Sequence, residues 1–233
     1  MEKYGYKLFA KYYDAFYRKK DYSKETQFLI DLLKKNQVKT VLDVGCGTGN
    51  HLKLLEEAGF KCTGMDYNVE MLDVARTKVK GDLHVGDMAK FRLDKTFDAI
   101  VSMFAVFNHN PDEKSALQTL ERMQALLNQG GLLLLDLYHA KDSGQKTDEA
   151  EGAKRHMKWA YDPVNKMTTT SIEYHTPESD IVQDPFVFRI FSQAEMTKLL
   201  QEAGFTQIQF FENYTFNPAQ DNSKNLIAFG KKA

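Results

Sequence analysis

The chain has 233 residues, with 31 lysines and arginines against 32 aspartates and glutamates, a formal net charge of −1. That length admits one large domain or a domain with an insert, and a near-neutral chain without a basic block argues against a nucleic-acid partner. Two cysteines, Cys46 and Cys62, lack metal-ligand spacing and read as free thiols of a reducing compartment. No metal site is expected, and no apolar run approaches the ~18 residues of a membrane span, so the reading is a soluble cytoplasmic protein.

Residues 4–18 place Tyr6, Phe9, Tyr13, Phe16 and Tyr17 at i+3 and i+4 spacing, which predicts an amphipathic helix. Its rings are either a core face or a lid over a site. Lys20-Asp21-Tyr22 leads to a second helix over 23–36, with Ser23 as the expected N-cap.

The next stretch, Thr40-Val41-Leu42-Asp43-Val44-Gly45-Cys46-Gly47-Thr48-Gly49-Asn50, reads as strand, glycine-rich turn and helix. Glycines suit such a turn because backbone without Cβ takes positive φ and can lie against a ligand. The spacing is acid-x-Gly-x-Gly-x-Gly, not the Gly-x-Gly-x-x-Gly of dinucleotide sites. Asp66 ends a second apolar run at about the ~20-residue offset where an acid meets ribose hydroxyls in such units. Asp87 follows a third run.

Onward, strands 41–44, 61–65, 82–85, 97–103 and 132–138 alternate with helices 48–58, 69–78 and 112–127, the last ending near Gly130-Gly131. This alternation predicts a parallel, doubly wound sheet whose ligands gather beyond the strands' carboxyl ends, where Gly45, Asp66, Asp87 and Met103 fall. Residues 141–153 are polar and read as a loop or loose link. Residues 155–190 turn β-rich and predict a small antiparallel sheet, placed to brace the main sheet, cover substrate or form a homodimer surface. Ser192 caps a last helix over 193–203, Gly204 stops it, and strands 206–213 and 225–230 close the chain.

His109, just past the fourth strand, is the candidate general base, since an ordinary imidazole pKa near ~6.5 suits proton transfer at neutral pH. The alternative is a loop histidine that only shapes a turn with Asn108, Asn110 and Pro111. His139 is the reserve candidate. The place after the fourth strand reads Ser102-Met103-Phe104-Ala105, without the Asn-Pro-Pro-Tyr-like residues used on nucleobase amines.

The Gly45–Gly49 pattern resembles motif I of class I S-adenosylmethionine (SAM)-dependent methyltransferases. Tyr13-Asp14-Ala15-Phe16-Tyr17-Arg18, Lys20-Asp21-Tyr22, Gly86-Asp87-Met88, Met103-Phe104 running on to His109, and Ile190-Phe191 resemble the enzymes that N-methylate nucleotide-linked amino sugars of the desosamine and mycaminose type. The resemblance implies a Rossmann-like α/β fold with a mostly parallel seven-stranded sheet, an antiparallel last strand, an N-terminal helical lid and a small antiparallel β insert. It divides the chain into a lid (1–38), a SAM-binding core (39–140 and 192–233) and an insert (141–191). It implies SAM as donor, S-adenosylhomocysteine as product and a small-molecule acceptor, with transfer to nitrogen rather than oxygen. Asp43, Gly45, Cys46, Gly47 and Gly49 would shape the methionine end, Asp66 hold ribose, Tyr67, Met71, Asp87 and Met88 flank adenine, and Met103, Tyr13, Tyr17 and Tyr22 close the site. His109 would take or position the acceptor's proton, with Tyr13 beside it. The chain departs from those sugar enzymes after the fifth strand, where Asp136-Leu137-Tyr138-His139 replaces a Trp-Trp segment and the single tryptophan is Trp159. Glycine/sarcosine-type and O-directed methyltransferases are the neighbouring readings. A nicotinamide-dependent oxidoreductase and a non-catalytic SAM-binding protein are the rivals from other classes.

Overall fold

A computed structural model describes residues 5–177, 179–183, 185–220 and 222–233. Tyr4 lies outside the described residues, as do the side chains of Tyr6 and Phe9. Helices α1 (Gly5–Phe16) and α2 (Tyr22–Lys35) precede the main sheet. The alternation then runs β1 (Thr40–Val44), α3 (Asn50–Glu57), β2 (Lys61–Asp66), α4 (Val69–Ala75), β3 (Asp82–Val85) and β4 (Phe97–Ser102). A short 3-10 turn at Val106–His109 leads to α5 (Glu113–Ala125) and β5 (Leu127–Tyr138). Strands β6 (Gly144–Ala150), β7 (Ala153–Asp162), β8 (Met167–Thr176), β9 (Ser179–Gln183) and β10 (Phe186–Arg189) come before α6 (Gln193–Glu202), β11 (Phe205–Glu212) and β12 (Asn225–Lys232).

Seven strands form the main sheet in the order β11-β12-β5-β4-β1-β2-β3. The pairs among β1 to β5 are parallel, whereas β12 runs antiparallel to both β5 and β11. Both faces of this sheet are covered. On β5, Leu133 and Leu135 join the core under α5 and α6, while Leu132 and Leu134 join the core under α2 and α3. Alternate side chains of a strand leave on opposite faces, so an unbroken leucine run is what a doubly covered strand requires. The chain winds outward through β2 and β3, then returns to β4 on the other side of β1. That reversal opens a crevice beyond the carboxyl ends of β1 and β4, the usual ligand position in open α/β sheets.

The second sheet has five strands, β10-β8-β7-β6 with β9 on β8, all antiparallel. It begins earlier than expected: the polar stretch 141–153 is a strand and a hairpin turn, not a loop. Every residue of β6 pairs with β7, and Glu151 and Gly152 turn the chain with φ of 50° and 79°. Two successive positive φ values match the hairpin turn that follows strand twist. Lys146, Thr147 and Glu149 are exposed because β6 is a sheet edge, and charged side chains suit an edge.

Smaller corrections follow the same local logic. The cap of α2 is Asp21, whose carboxylate accepts the Lys24 N–H at 2.9 Å, and Ser23 lies inside the helix. Helix α5 ends at Ala125, and Gly130 and Gly131 sit within β5 near an irregular register with β4. Helices α3 and α4 are each shorter than their apolar patterns, starting at Asn50 and ending at Ala75. Among the described residues, no helix is long and apolar enough to cross a membrane.

Candidate active site

The crevice is a cavity of about 740 Å³, within the size range of small-molecule sites. A smaller hollow of about 320 Å³ lies at Arg18 and the β6–β7 turn, away from the strand ends.

One end of the main cavity is built by the glycine turn. The Gly45 and Cys46 N–H groups donate to the Met65 carbonyl at 2.7 and 3.0 Å, which ties the turn to β2. Gly45 has φ +78°, and a Cβ there would meet the Val106 side chain at 2.5 Å. Gly47 has φ +54°, and a Cβ there would meet nothing within 4 Å, because its α-carbon borders open cavity. The Gly47 N–H donates to Asp66 Oδ2 and the Asn68 N–H to Asp66 Oδ1, both at 2.8 Å. Each carboxylate oxygen keeps a further lone pair for a ligand. Burial raises the Asp66 pKa against the lowering effect of those two donors. Cys46 lines the cavity, and burial pushes its thiol far up, so it is an inert wall residue.

Asp43 and Gly49 stand apart from this wall. Asp43 is 1 % exposed inside β1, its Oδ1 has no partner, and burial followed by the Asp66 charge raises its pKa to about 7. Gly49 caps α3 and packs against Ala75 and Val79. Both residues shape the turn from behind and do not line the cavity, because alternation in β1 sends the acid to the buried sheet face that Val41 shares and the helix start points Gly49 at α4.

The next two strand ends continue the wall. Tyr67 and Met71 flank one side, Tyr67 half-exposed and Met71 buried at the start of α4. Asp87 and Met88 follow β3, with Asp87 Oδ1 accepting the Ala89 N–H at 2.9 Å.

Helix α1 closes the top. Asp14 accepts from Thr48 Oγ1 at 2.7 Å, from Asn50 Nδ2 at 2.9 Å and from the Lys78 ammonium. Burial alone would raise the Asp14 pKa; these donors outweigh it and lower it. The Tyr13 and Tyr17 rings lie 4.7 Å apart on the cavity wall, and Tyr17 meets Phe104 edge-on at 5.1 Å. Tyr22 sits edge-on to His51 at 5.0 Å, and His51 Nε2 bonds Glu25 at 2.8 Å. Burial pushes the Tyr13 hydroxyl well up and the Tyr22 hydroxyl to about 12, so both are neutral phenols. Arg155 of β7, 1 % exposed, lies 4.4 Å from the Phe16 ring and 4.9 Å from Tyr17 while its fork holds Asp148. Phe16 is therefore core, and Tyr13 and Tyr17 are wall.

The far end is built after β4 and by the second sheet. Phe104 and Ala105 have φ of 59° and 60°, two successive left-handed residues with side chains. Such strain, roughly 1–3 kcal/mol per residue, persists only where surroundings enforce it. Here buried Asp136 accepts the Phe104 N–H at 2.8 Å and the Tyr214 hydroxyl at 2.6 Å. Asn108 fixes the following turn by bonding the Tyr138 N–H and the carbonyls of Tyr138 and Arg189. Met103 and His109 reach the cavity from either end of this segment. The His109 ring lies 4.7 Å from Phe188 and 5.8 Å from Phe186, with its open surface on the cavity. His109 is exposed to the open cavity, and desolvation by the protein around it lowers its pKa to about 4, so the ring is neutral at pH 7. The reserve candidate is off the wall: His139 Nδ1 bonds the Ser223 carbonyl at 3.0 Å and is buried.

Thirteen of the fifteen expected site residues thus meet in one enclosure, all except Asp43 and Gly49. Sequence reasoning missed Asn68, Asp136 and the second-sheet residues Trp159, Thr168 and Thr170, which also line it. Asp136 was legible as an acid near the carboxyl end of a fifth apolar strand. The second-sheet residues carried no local signal.

Comparison with known proteins gives a consistent picture. A family model described as a methyltransferase domain matches residues 13–209. A dTDP-3-amino-3,4,6-trideoxy-alpha-D-glucopyranose N,N-dimethyltransferase of Streptomyces venezuelae is 27% identical over 218 residues, spanning 87% of this chain and 92% of the relative. A glycine/sarcosine N-methyltransferase of Aphanothece halophytica is 26% identical over 226 residues, spanning 90% and 82%. A SAM-dependent methyltransferase from Clostridium acetobutylicum ATCC 824 has the same fold, with a TM-score of 0.85 at 18% identity over 98% of this chain and 99% of that one.

Proposed function

This chain belongs to the methyltransferase-domain family and is a SAM-dependent methyltransferase, and on that premise we propose that it methylates the amine of a small acceptor, an amino sugar first of all. The cavity fits the donor. Gly47 leaves a bare backbone cradle, and Asp66 offers spare carboxylate lone pairs beside it. Gly45, Cys46 and Gly47 would hold the methionine end, Asp66 the ribose, and Tyr67, Met71, Asp87 and Met88 the adenine. When bound, SAM supplies an electrophilic methyl carbon on a sulfonium.

The protein's own residues then have three tasks. They orient the acceptor nitrogen toward that carbon, and positioning of this kind is worth ~7–11 kcal/mol of barrier. They exclude water, through Tyr13, Tyr17 and Tyr22. Their aromatic faces favour a cation by ~0.5–2 kcal/mol each. His109, neutral at pH 7, accepts a hydrogen bond from the acceptor N–H and turns the nitrogen lone pair toward the donor end. Desolvation makes this imidazole a weaker base than usual; its task is to position the amine, and the proton released after transfer goes on to solvent. Tyr13, a neutral phenol on the same wall, serves as cover. The observation that carries this reading is the single enclosure shared by Gly47, Asp66 and His109.

The test is methyl transfer from labelled SAM to paired acceptors, amino sugars and small amines against their hydroxyl isosteres. Amines should be methylated and hydroxyl isosteres left untouched. Preferential methylation of the hydroxyl compounds would overturn the amine assignment.

A further inference from the structure

Asp43, Val101 and Leu134 stand in one row across β1, β4 and β5, so two residues further along those strands come Gly45, Met103 and Asp136. Alternation keeps this row on one face of the sheet, the face whose core Val101, Met103 and Leu134 share with α2 and α3. Asp136 therefore holds Phe104 from the α2–α3 side, next to the glycine turn, and not from the side of the second sheet. The residue is 2 % exposed, and both of its protein donors, the Phe104 N–H and the Tyr214 hydroxyl, go to Oδ2. Among the described residues nothing donates to Oδ1, and Asp136 is on the cavity wall. Burial raises the Asp136 pKa against those two donors. A carboxylate left with an open oxygen in such a place is costly without a partner, and a cationic partner suits it best.

His51, in the first turn of α3, stands on the same side and on the same wall. Its Nε2 bonds Glu25 Oε2 at 2.8 Å, and Glu25 in turn pairs with the Lys20 ammonium. Burial alone would raise the Glu25 pKa; His51 and Lys20 outweigh it and lower it, so an ionised carboxylate anchors the ring. The Glu25 charge also reaches Asp136 and Tyr214, which puts His51 and Asp136 on neighbouring parts of the wall. Among the described residues that line the cavity there is no lysine or arginine, and the histidines are His51 and His109. His109 faces the second sheet and is neutral at pH 7. His51 is thus the side chain on this wall that can offer an anion a charged donor, at Nδ1, and the N-terminal N–H groups of α3 favour the same charge.

SAM carries one cation and one anion at its amino-acid end, an α-ammonium and a carboxylate. We propose that Asp136 Oδ1 takes that ammonium and that His51, with both ring nitrogens protonated, takes that carboxylate through Nδ1. The glycine turn shapes the space, and these two side chains read the charges in it. Lys20, Glu25 and Tyr214 are positioning groups, the first two for His51 and the last for Asp136. The inference rests on SAM as the donor and is independent of which acceptor is methylated.

The experiment is isothermal titration calorimetry without acceptor, with three ligands. They are S-adenosylhomocysteine, its deaminated analogue, which keeps the carboxylate, and 5′-methylthioadenosine, which has neither charge. In the parent protein each lost charge-assisted bond should raise the Kd about tenfold or more along that series. Asp136→Asn should raise the Kd for S-adenosylhomocysteine by a similar factor and leave the other two within about twofold, because neither carries the ammonium. His51→Gln should weaken S-adenosylhomocysteine and its deaminated analogue alike and spare 5′-methylthioadenosine. Equal affinity of the parent protein for the three ligands would overturn the inference, and that comparison needs no variant. A loss in Asp136→Asn shared equally by all three would assign Asp136 to holding Phe104 alone and overturn it too.

Discussion

Replacing Asp66 by asparagine separates a residue that holds the protein together from one that holds the ligand. The carboxylate accepts two backbone N–H groups, from Gly47 and Asn68, both at 2.8 Å. A carboxamide can accept at only one of those positions, and its NH2 group faces an N–H donor at the other. Hydrogen bonds to a charged group contribute ~1.5–3 kcal/mol, and that is the stability lost on this count. A second effect opposes it. Burial raises the Asp66 pKa in the folded state. A raised carboxyl pKa means the folded state holds its proton more tightly than the unfolded state, so this stability contribution falls as pH rises through the folded pKa. The neutral amide removes that cost, so the melting temperature at pH 8 should fall by less than the lost hydrogen bond alone would give. Binding has no such compensation. Loss of one charge-assisted bond to a ribose hydroxyl at ~1.5–3 kcal/mol predicts a Kd for S-adenosylhomocysteine raised about 10- to 150-fold. Isothermal titration calorimetry at pH 8 on a variant shown folded by its melting curve is the assay. A Kd within twofold of the parent protein would refute the ribose role of Asp66.

Other expectations concern charge and cover. His109→Phe should lower turnover about 10²-fold, the loss expected when a reacting group is misplaced, with S-adenosylhomocysteine affinity retained, whereas His109→Gln should keep part of the activity by accepting the same hydrogen bond. Because desolvation lowers the His109 pKa to about 4, the pH profile of kcat/KM should show no enzyme inflection near 6.5; an inflection there that His109→Gln removes would contradict the positioning role. Asp43, with its pKa raised to about 7 by burial, contributes stability that is present at acid pH and lost as pH rises from about 4 through 7, so Asp43→Asn should melt higher than the parent above pH 7, by up to roughly 4 kcal/mol, and the gap should close below pH 4; equal melting across that range would count against it. Arg155→Lys cannot reproduce a bidentate fork or stack as a plane, so α1 should become protease-sensitive and the KM for SAM should rise severalfold, and unchanged proteolysis would remove Arg155 as the anchor of the lid.

How much of this was readable in the sequence depended on whether the signal was local. The glycine turn was legible because its three glycines lie within five residues, and each takes a positive φ, 78°, 54° and 79° at Gly45, Gly47 and Gly49. Asp66 and Asp87 were legible as acids that end apolar runs. Leu132 to Leu135 announced a strand covered on both faces. Asp43 looked like a ligand residue because its spacing is that of the fingerprint, but alternation in β1 turns it inward. The β6 strand was missed because edge strands carry polar residues on both faces, so its composition is that of a loop. Trp159, Thr168, Thr170 and Phe188 gave no warning at all: they lie up to 29 positions apart and become neighbours only through the register of three strands. The donor end was therefore written locally, and the acceptor end was written in long-range pairing.

Donor and acceptor share one enclosure, with His109 on the side that faces the second sheet. The most direct measurement is a crystal structure of the complex with S-adenosylhomocysteine and an amino sugar. It should show the amine nitrogen within hydrogen-bond distance (about 3 Å) of a His109 ring nitrogen and the nucleoside on Asp66. An acceptor bound elsewhere, with its amine remote from His109, would contradict the account.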